Sequence, residues 1–256
     1  MAKRFVAIWF RFLKTDWFVR RHPTMLSIPF VLASPDHGRM VITAANPLAE
    51  QEGIYSGMVV ADARVIIPTL NVLDDQPGLP EKLLKGLGEW CIRFTPVVAI
   101  DLPDGLLLDV TGCAHLWGGE QLYQQHVIDR LKYLGYHVKA AMADTIGAAW
   151  AFARFGNAST IIEANKQAAA LLPLPPQSLR LEAETIERLH ALGLRTIQHF
   201  IDALDHIIQQ RPELKSVLVI EQVGVDNLNN LNAKQVKLVN MGWQSRQVAL
   251  QRLANA

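Results

Sequence analysis

The sequence predicts an α/β layer built on a mixed sheet, followed by an all-α unit, and two features of the chain carry this prediction. The first is a strand, helix and strand pattern between residues 102 and 142, in which two apolar runs flank a segment of helical period. The second is the linker Leu174-Pro175-Pro176, after which the residues up to 205 follow a helical pattern. An α/β unit is therefore expected before the linker and a helical unit after it.

Apolar runs mark the first elements of the α/β unit. Phe5 to Phe10 is expected to form a buried strand. Ile28 to Ser34 and Met40 to Ala45 predict two more strands around the turn at 35–38, and together the three strands suggest one sheet. Residues 79–94 predict a helix that packs against this sheet, because apolar side chains recur there at helical spacing.

The pattern that follows completes the α/β unit. Leu106 to Val110 predicts a central strand, and the helix after Gly118-Gly119 ends at Gly135. Tyr136 to Met142 is the returning strand, and an alanine-rich helix follows it. Residues 206–256 match no pattern that assigns them, so they are treated as an unassigned tail.

Composition predicts an ordinary cytoplasmic protein that has no membrane partner. Half of the 256 residues are hydrophobic, which is enough for a substantial core. The apolar stretch near the N-terminus is interrupted by Arg11 and Lys14, and no small-residue cleavage site follows it. The two cysteines, Cys91 and Cys113, lack metal-binding spacing and are expected to be buried thiols.

Charge is unevenly distributed along the chain, although the net charge is only +1. Residues 1–24 carry six basic side chains and one acidic side chain, whereas residues 40–125 carry four basic and eleven acidic ones. The acidic middle would repel a phosphate backbone or a triphosphate unless a metal ion intervened. Only weak binding of DNA is therefore expected. Asp74-Asp75 within this region is interpreted as a solvated loop.

The segment Leu102 to Gly112, LPDGLLLDVTG, resembles the palm motif S-I-D-E-A-Y-L-D-V-T-G of the Y-family (UmuC-like) translesion DNA polymerases. Glu52 to Leu73 resembles the fingers of that family, and Leu189 to Phe200 resembles the helix-hairpin-helix of its thumb. The resemblance covers roughly residues 3–205. It is greatest to the ImuB-type branch, whose members are catalytically inactive.

The resemblance implies a domain organisation. Residues 1–45 and 76–150 would form a palm with a mixed α/β sheet, and residues 46–75 a small fingers-like insertion. Residues 151–205 would form an all-α thumb-like unit.

Departures from the family motif remove most of the catalytic carboxylates. Polymerisation by two metal ions needs several carboxylates that converge on the ions. Trp9 stands where the resemblance implies the first aspartate, and Asp104-Gly105 replaces the palm Asp-Glu pair. Asp109 lies five positions from Asp104, so it should face the other side of a regular strand. We expect no catalytic residue, no bound metal and, for Asp104, a role in the turn.

The positions that bind nucleotide in the family have also changed. Its Tyr-x-x-Arg falls on the segment from Pro47 to Glu50, so that an anion replaces a cation. Its palm lysines fall near Ile146 and Trp150. No nucleotide binding is expected here, and Trp9 and Trp150 are interpreted as core aromatic residues.

Four residues are candidates for contact with DNA. Arg20 and Arg21 belong to the basic N-terminal segment, and Gly193 and Arg195 belong to the predicted hairpin of the thumb. Such hairpins bind phosphate through outward-pointing backbone N–H groups. The first hairpin lacks glycine, which weakens this prediction.

The resemblance implies a non-catalytic DNA-repair scaffold or adaptor in damage-induced translesion synthesis and mutagenesis. Its implied partners are the sliding clamp, an error-prone replicative-type polymerase and a RecA-like accessory protein. Two alternatives stay open: an active error-prone Y-family polymerase, which would need Mg²⁺, and a DNA-binding module that does not bridge partners.

Overall fold

The computed structural model describes residues 3–210, and the chain divides into two compact units, Met1–Glu163 and Ala164–Ala256. Most of the predicted tail, from residue 211 onwards, lies outside the described residues. No helix in the described part is long and apolar enough to cross a membrane.

The first unit contains all the strands of the described chain, in two sheets. The strands are β1 (Phe5–Phe10), β2 (Phe30–Asp36), β3 (Arg39–Ala45), β4 (Asn71–Asp74), β5 (Val97–Asp101), β6 (Gly105–Asp109), β7 (Val138–Ala143) and β8 (Thr160–Ile161). The larger sheet has the order β5-β6-β1-β7-β8, and the smaller one has the order β3-β2-β4.

Six helices belong to the same unit. They are α1 (Leu13–Arg21), α2 (Pro47–Gln51), α3 (Val60–Ile66), α4 (Leu79–Cys91), α5 (Glu120–Tyr133) and α6 (Ile146–Phe155). The helix α5 connects β6 to β7, two strands that run parallel to each other with β1 between them. This is the predicted strand, helix and strand unit, split by an inserted antiparallel strand.

β1 is the central strand of the larger sheet because both of its edges are paired. It runs antiparallel to β6, with Phe5 opposite Asp109, and antiparallel to β7, with Phe10 opposite Val138. Its side chains alternate between the two faces. Val6, Ile8 and Phe10 are fully buried in the core, together with side chains of α4 and α5. The opposite face, which includes Trp9, is the one against which α6 packs.

The prediction of one sheet for the first three strands is wrong. β6 and β7 occupy both edges of β1, so no edge remains for another strand. β2 and β3 pair instead with each other, and β2 pairs in parallel with β4. Residues 30–45 therefore share a sheet with a strand of the segment that was predicted to be fingers-like. The mixed α/β fold itself is confirmed.

The second unit is helical over its described residues. It contains α7 (Gln167–Leu171), α8 (Ala183–Ala191) and α9 (Ile197–Gln210). The predicted boundary at residue 150 falls inside α6, which packs against β1 and β7 and belongs to the first unit. Both cysteines are free, but only Cys91 is fully buried, whereas Cys113 is half-buried.

Candidate functional site

The antiparallel pairing of β1 with β6 brings three of the predicted site residues together. Trp9 lies directly opposite Gly105 in the ladder. The backbone N–H of Phe10 donates to the carbonyl oxygen of Asp104 at 2.8 Å. The end of β1 and the start of β6 therefore form one face of a small site.

The side chain of Asp104 is held by two donors. Its Oδ2 accepts a hydrogen bond from the indole Nε1 of Trp9 at 2.8 Å, and its Oδ1 lies 2.7 Å from Nη2 of Arg154. Asp104 lies in the predicted turn, but its carboxylate also binds side chains of β1 and α6. The prediction of a role in the turn alone therefore describes only part of what this residue does. Trp9 is only partly buried, so the prediction that it is a core aromatic residue is wrong.

A second aspartate, Asp101 at the end of β5, completes the cluster. Its Oδ2 lies 3.0 Å from the same Nη2 of Arg154 and accepts a hydrogen bond from the Nε1 of Trp150 at 2.8 Å. The guanidinium carbon of Arg154 lies 4.5 Å from the centroid of the Trp150 ring. Trp150 is thus not a core aromatic residue either, because it is partly exposed and uses its N–H in the site. We call Trp9, Asp101, Asp104, Trp150 and Arg154 the arginine–aspartate cluster.

Sequence reasoning missed Asp101 and Arg154. Two signals for them exist in the chain. The first is a second aspartate just before the turn that carries Asp104, and the other is a Trp and Arg pair spaced i, i+4 on the alanine-rich helix. Neither signal shows that the two meet, because Arg154 lies 53 residues from Asp101.

The absence of a side chain at Gly105 leaves room for Arg154. A Cβ atom there would lie 2.9 Å from Nη2 of Arg154 and 2.9 Å from Oδ2 of Asp101. Contacts this short require one of the groups to move. A glutamate at this position is therefore incompatible with the observed arrangement of the cluster.

Cations and one anion surround the Trp9 side of the cluster. Arg11 lies 5.9 Å and Lys139 lies 5.6 Å from the Trp9 ring centroid. Burial and the charge of Arg11 lower the pKa of Lys139, whose Nζ donates to the carbonyl oxygen of Gly156. Glu50, which the sequence places at a nucleotide position, forms an ion pair with Arg11 at 2.6 Å.

Two other positions that bind nucleotide in the family, Pro47 and Ile146, lie here in the first turns of helices. Pro47 occupies the first turn of α2, whose N-cap is the side chain of Asn46. Ile146 begins α6, after the N-cap Thr145, and is exposed. None of these side chains supplies a cation for a triphosphate.

A family model matches residues 10–154, which include the smaller sheet and every residue of the cluster except Trp9, and its description is the impB/mucB/samB family. The chain belongs to the impB/mucB/samB family. Its resemblance to the Y-family polymerases is thereby confirmed.

Individual relatives agree with this family. The chain is 40% identical to Protein ImuB of Caulobacter vibrioides over 170 residues, which are 66% of this chain and 37% of that protein. It is 26% identical to DNA polymerase IV of Actinobacillus pleuropneumoniae over 191 residues, which are 71% of this chain and 53% of that enzyme. The chain thus spans little more than a third of its ImuB relative.

Solved structures show the same fold. The post-insertion binary complex of Dbh DNA polymerase matches with a TM-score of 0.65 and 15% identity, over 94% of this chain and 67% of that one. DinB from Sulfolobus solfataricus matches with a TM-score of 0.61 over the same shares. The impB/mucB/samB chain therefore has the Y-family polymerase fold.

The metal ions implied by the impB/mucB/samB fold do not fit the cluster. Trp9 is a hydrogen-bond donor and cannot ligate a metal, and Gly105 has no side chain. The two aspartates that remain share the guanidinium of Arg154. No group of three or more histidine, cysteine, aspartate or glutamate side chains in residues 3–210 could hold a metal ion.

Most basic residues of the N-terminal segment have partners inside the protein. Arg4 is buried and binds Glu120 and Asp144, and Lys14 binds Asp75. Arg20, a candidate for DNA contact, donates to the Tyr136 hydroxyl at 2.5 Å and stacks over its ring.

Arg21, the other N-terminal candidate, is exposed and lies over the ring of Trp17, with its guanidinium carbon 4.4 Å from the ring centroid. Of the two predicted arginines, only Arg21 presents its side chain to solvent without a hydrogen bond or ion pair among the described contacts. Contact of this segment with DNA remains a prediction.

The hairpin candidates lie just after α8. Gly193 has a φ of +78°, and its N–H donates to the carbonyl oxygen of His190, while the N–H of Leu194 donates to that of Leu189. These bonds end α8 in the manner of a C-terminal cap. The N–H of Gly193 therefore points into its own helix and not outward to a phosphate. Arg195 follows this cap. It is exposed, and among the described contacts it has no hydrogen bond or ion pair.

Proposed function

We propose that this chain is a non-catalytic, polymerase-like protein that acts as a scaffold or adaptor in damage-induced translesion synthesis and mutagenesis. One observation carries the proposal: a guanidinium lies between the two aspartates of the site, at the place where the resemblance implies metal-binding carboxylates. The nearest distances from Nη2 of Arg154 are 3.0 Å to Asp101 and 2.7 Å to Asp104.

Nucleotidyl transfer depends on charges that this site does not offer. Two metal ions would have to neutralise a triphosphate and activate a primer hydroxyl. Arg154 already neutralises part of the carboxylate charge, so a divalent cation brought to the same position would meet a like charge. The ion pair of Glu50 with Arg11 also uses a cation that could otherwise face a phosphate.

A protein that keeps the polymerase fold without the chemistry can still present surfaces to other proteins. The 40% identity to Protein ImuB supports this role. We propose that the chain binds the three partners implied by the resemblance. They are a sliding clamp, an error-prone replicative-type polymerase and a RecA-like accessory protein. Weak contact with DNA would accompany these interactions.

A bridging assay tests the scaffold proposal. The replicative-type polymerase is immobilised, and retention of the sliding clamp is measured with and without this chain. We expect the clamp to be retained only when the chain is present, both for the wild type and for Asp104→Ala, which removes one carboxylate of the cluster. Equal retention of the clamp with and without the chain would contradict the proposal.

A further inference from the structure

The strand β5 lies at the edge of the larger sheet and has an apolar surface. It pairs with β6 on one side, and among residues 3–210 no strand pairs with its other side. Val97 and Ile100 are 56% and 45% exposed, and Ile92, just after α4, is 56% exposed. The strand contains no lysine, proline or bulge of the kind that protects a sheet edge. This edge is therefore open to pairing with another strand.

The backbone groups at the open edge belong to Val98 and Ile100. The N–H of Phe10 in β1 donates to the carbonyl oxygen of Asp104, just before β6. Backbone groups alternate between the two sides of a strand, so the odd-numbered residues of β6 point towards β5. Their partners in the ladder are the odd-numbered residues of β5. The N–H and C=O groups of Val98 and Ile100 therefore point away from the sheet.

The same two residues line a groove between β5 and α4. The side chains of Val98 and Ile100 form its apolar floor together with Gly88, where an added Cβ would lie 3.6 Å from Cγ1 of Val98. Lys85 and Glu89 of α4 also line the groove and are exposed. The open edge thus has an apolar floor and one charge of each sign on its rim.

The two charges of the rim lie at different levels along β5. Only a short turn joins α4 to β5, so the helix runs back along the strand in the opposite direction. Gly88 contacts Val98, which places the neighbouring Glu89 near the level of Val98. Lys85 lies four residues earlier, about 6 Å along the helix, and Ile100 lies about 6.6 Å beyond Val98 along the strand. Lys85 is therefore near the level of Ile100.

We infer that a second copy of this chain pairs with the open edge, β5 against β5, around a two-fold axis at Ala99. Antiparallel pairing centred there places Val98 opposite Ile100 of the second copy, so that their free backbone groups point at each other. The same rotation brings Glu89 of each copy to the level of Lys85 of the other. The two five-stranded sheets then form one continuous sheet.

The position of α4 fits this arrangement. The helix packs against both β5 and β6. Because strands lie about 4.8 Å apart, a helix above these two strands and its counterpart in the second copy would lie about 10 Å apart, close to the distance between packed helices. A second copy therefore provides a strand for the edge, a helix that covers the groove and the opposite charge at each level. This inference is independent of the proposed function, because it concerns only how copies of the chain associate.

Sedimentation equilibrium of the full chain, from about 1 μM to about 1 mM, tests the inference. We expect the wild type to show an equilibrium between monomer and dimer. Lys85→Glu and Glu89→Lys each bring like charges together across the axis, so each should raise the dissociation constant of the dimer at least about tenfold. The double variant Lys85→Glu, Glu89→Lys restores opposite charges and should dimerise like the wild type. Lys132→Glu, which reverses an exposed charge on α5, is the matched control and should change nothing.

A change in the strand itself tests the pairing separately from the charges. Ile100→Pro removes an N–H that points to the open edge and leaves the hydrogen bonds to β6 in place, so it should also weaken the dimer at least about tenfold. Circular dichroism verifies that this variant is folded, and if it is not, the charge variants alone decide the result.

Three results would overturn the inference. They are a wild type that stays monomeric over the whole range, a dimer that Lys85→Glu does not weaken, and a double variant that does not regain the affinity of the wild type. The bridging assay tests the proposed function separately, so the failure of one does not imply the failure of the other.

Discussion

Gly105 shows how one missing side chain determines the chemistry of its surroundings. Gly105 is the first residue of β6, and the space that a side chain would occupy there is filled by Arg154 and Asp101. The backbone of Gly105 needs no left-handed conformation, so its close contacts and not its φ angle require a glycine here. Arg154 and the residue at 105 must therefore be considered together.

Replacement of Gly105 by alanine should destabilise the protein. The added methyl group meets two polar atoms at 2.9 Å, and we expect a loss of about 1–3 kcal/mol in the free energy of unfolding, as for other overpacked sites. Urea denaturation followed by circular dichroism measures it. Gly86→Ala in α4 is the control, because nothing lies within 4 Å of its added Cβ and alanine favours helix. A Gly105→Ala variant as stable as Gly86→Ala would contradict this packing.

Asp75 is a second residue whose role the sequence did not reveal. Its carboxylate lies 2.8 Å from Nζ of Lys14, with both side chains at most 16% exposed, so the prediction of a solvated loop is wrong for this residue. Burial raises the pKa of Asp75, but hydrogen bonds from Lys14 and Thr43 outweigh it and leave the pKa below its ordinary value.

This depressed pKa predicts how acid affects stability. A carboxyl group with a lower pKa in the folded state stabilises the fold above its unfolded pKa, and this contribution is lost as the pH falls through the folded value. Asp75→Asn should therefore cost about 1–2 kcal/mol at pH 7, and less at a pH below 3.8, the ordinary pKa of the group. Urea denaturation at both pH values checks this. A cost that does not shrink in acid would contradict the assigned ion pair.

Among the elements, α1 joins the two sheets of the first unit through polar side chains. Lys14 on one side of the helix binds Thr43 and Asp75 near the smaller sheet. Asp16 on the other side accepts hydrogen bonds from the backbone N–H and the Nδ1 of His137, both at 2.7 Å, just before β7. Burial raises the pKa of Asp16, and the bonds to His137 partly offset this rise.

Loss of the Asp16 side chain should therefore weaken the link between α1 and the larger sheet. Asp16→Ala leaves the N–H of His137 without its acceptor, and we expect a loss of about 2–3 kcal/mol in the free energy of unfolding. Asp62→Ala is the control, because Asp62 is an exposed acidic residue in the first turn of α3. Thermal or urea denaturation of both variants measures the difference. Equal stability of the two would show that Asp16 does not tie α1 to the sheet.

The elements that the sequence predicted are those whose apolar residues have a regular period. β1, β6 and β7 were found because their buried positions are continuous or alternate along the strand. α1 was missed because its buried residues are Leu13, Thr15 and Asp16, so its inner face is largely polar. β5 was missed because most of its side chains are exposed, although it pairs fully with β6.

The candidate site could be predicted only in part for a related reason. The family motif identified Trp9, Asp104 and Gly105, because each of them is recognised from the residues next to it in the sequence. The contacts that define the site join residues far apart in the chain, such as Trp9 and Asp104, which are separated by 95 positions. Local patterns carry no information about such pairs, so the role of Arg154 emerges only when α6 is packed on the sheet.

For the whole molecule, the fold and the family are established while the activity is a proposal. The chain has the Y-family polymerase fold, yet the candidate site contains an arginine in contact with two aspartates. The nucleotide positions at Pro47, Glu50, Ile146 and Trp150 provide no cation of their own. We therefore expect that this protein does not polymerise DNA.

Restoring the lost carboxylates should not restore polymerisation. In the double variant Trp9→Asp, Gly105→Glu, the new glutamate would collide with Arg154, and the positions around the triphosphate would still lack their cations. The variant would also lose the hydrogen bond from Trp9 to Asp104. We therefore expect it to be less stable than the wild type and equally inactive.

Primer extension on a primed template, with Mg²⁺ and then Mn²⁺, measures directly whether this protein polymerises DNA. It compares the wild type, the double variant and Asp104→Ala, with an active DNA polymerase IV as the positive control. We predict no extension by any form of this chain, while the control extends the primer. Extension by the wild type that Asp104→Ala abolishes, or extension by the double variant above the wild type, would contradict it.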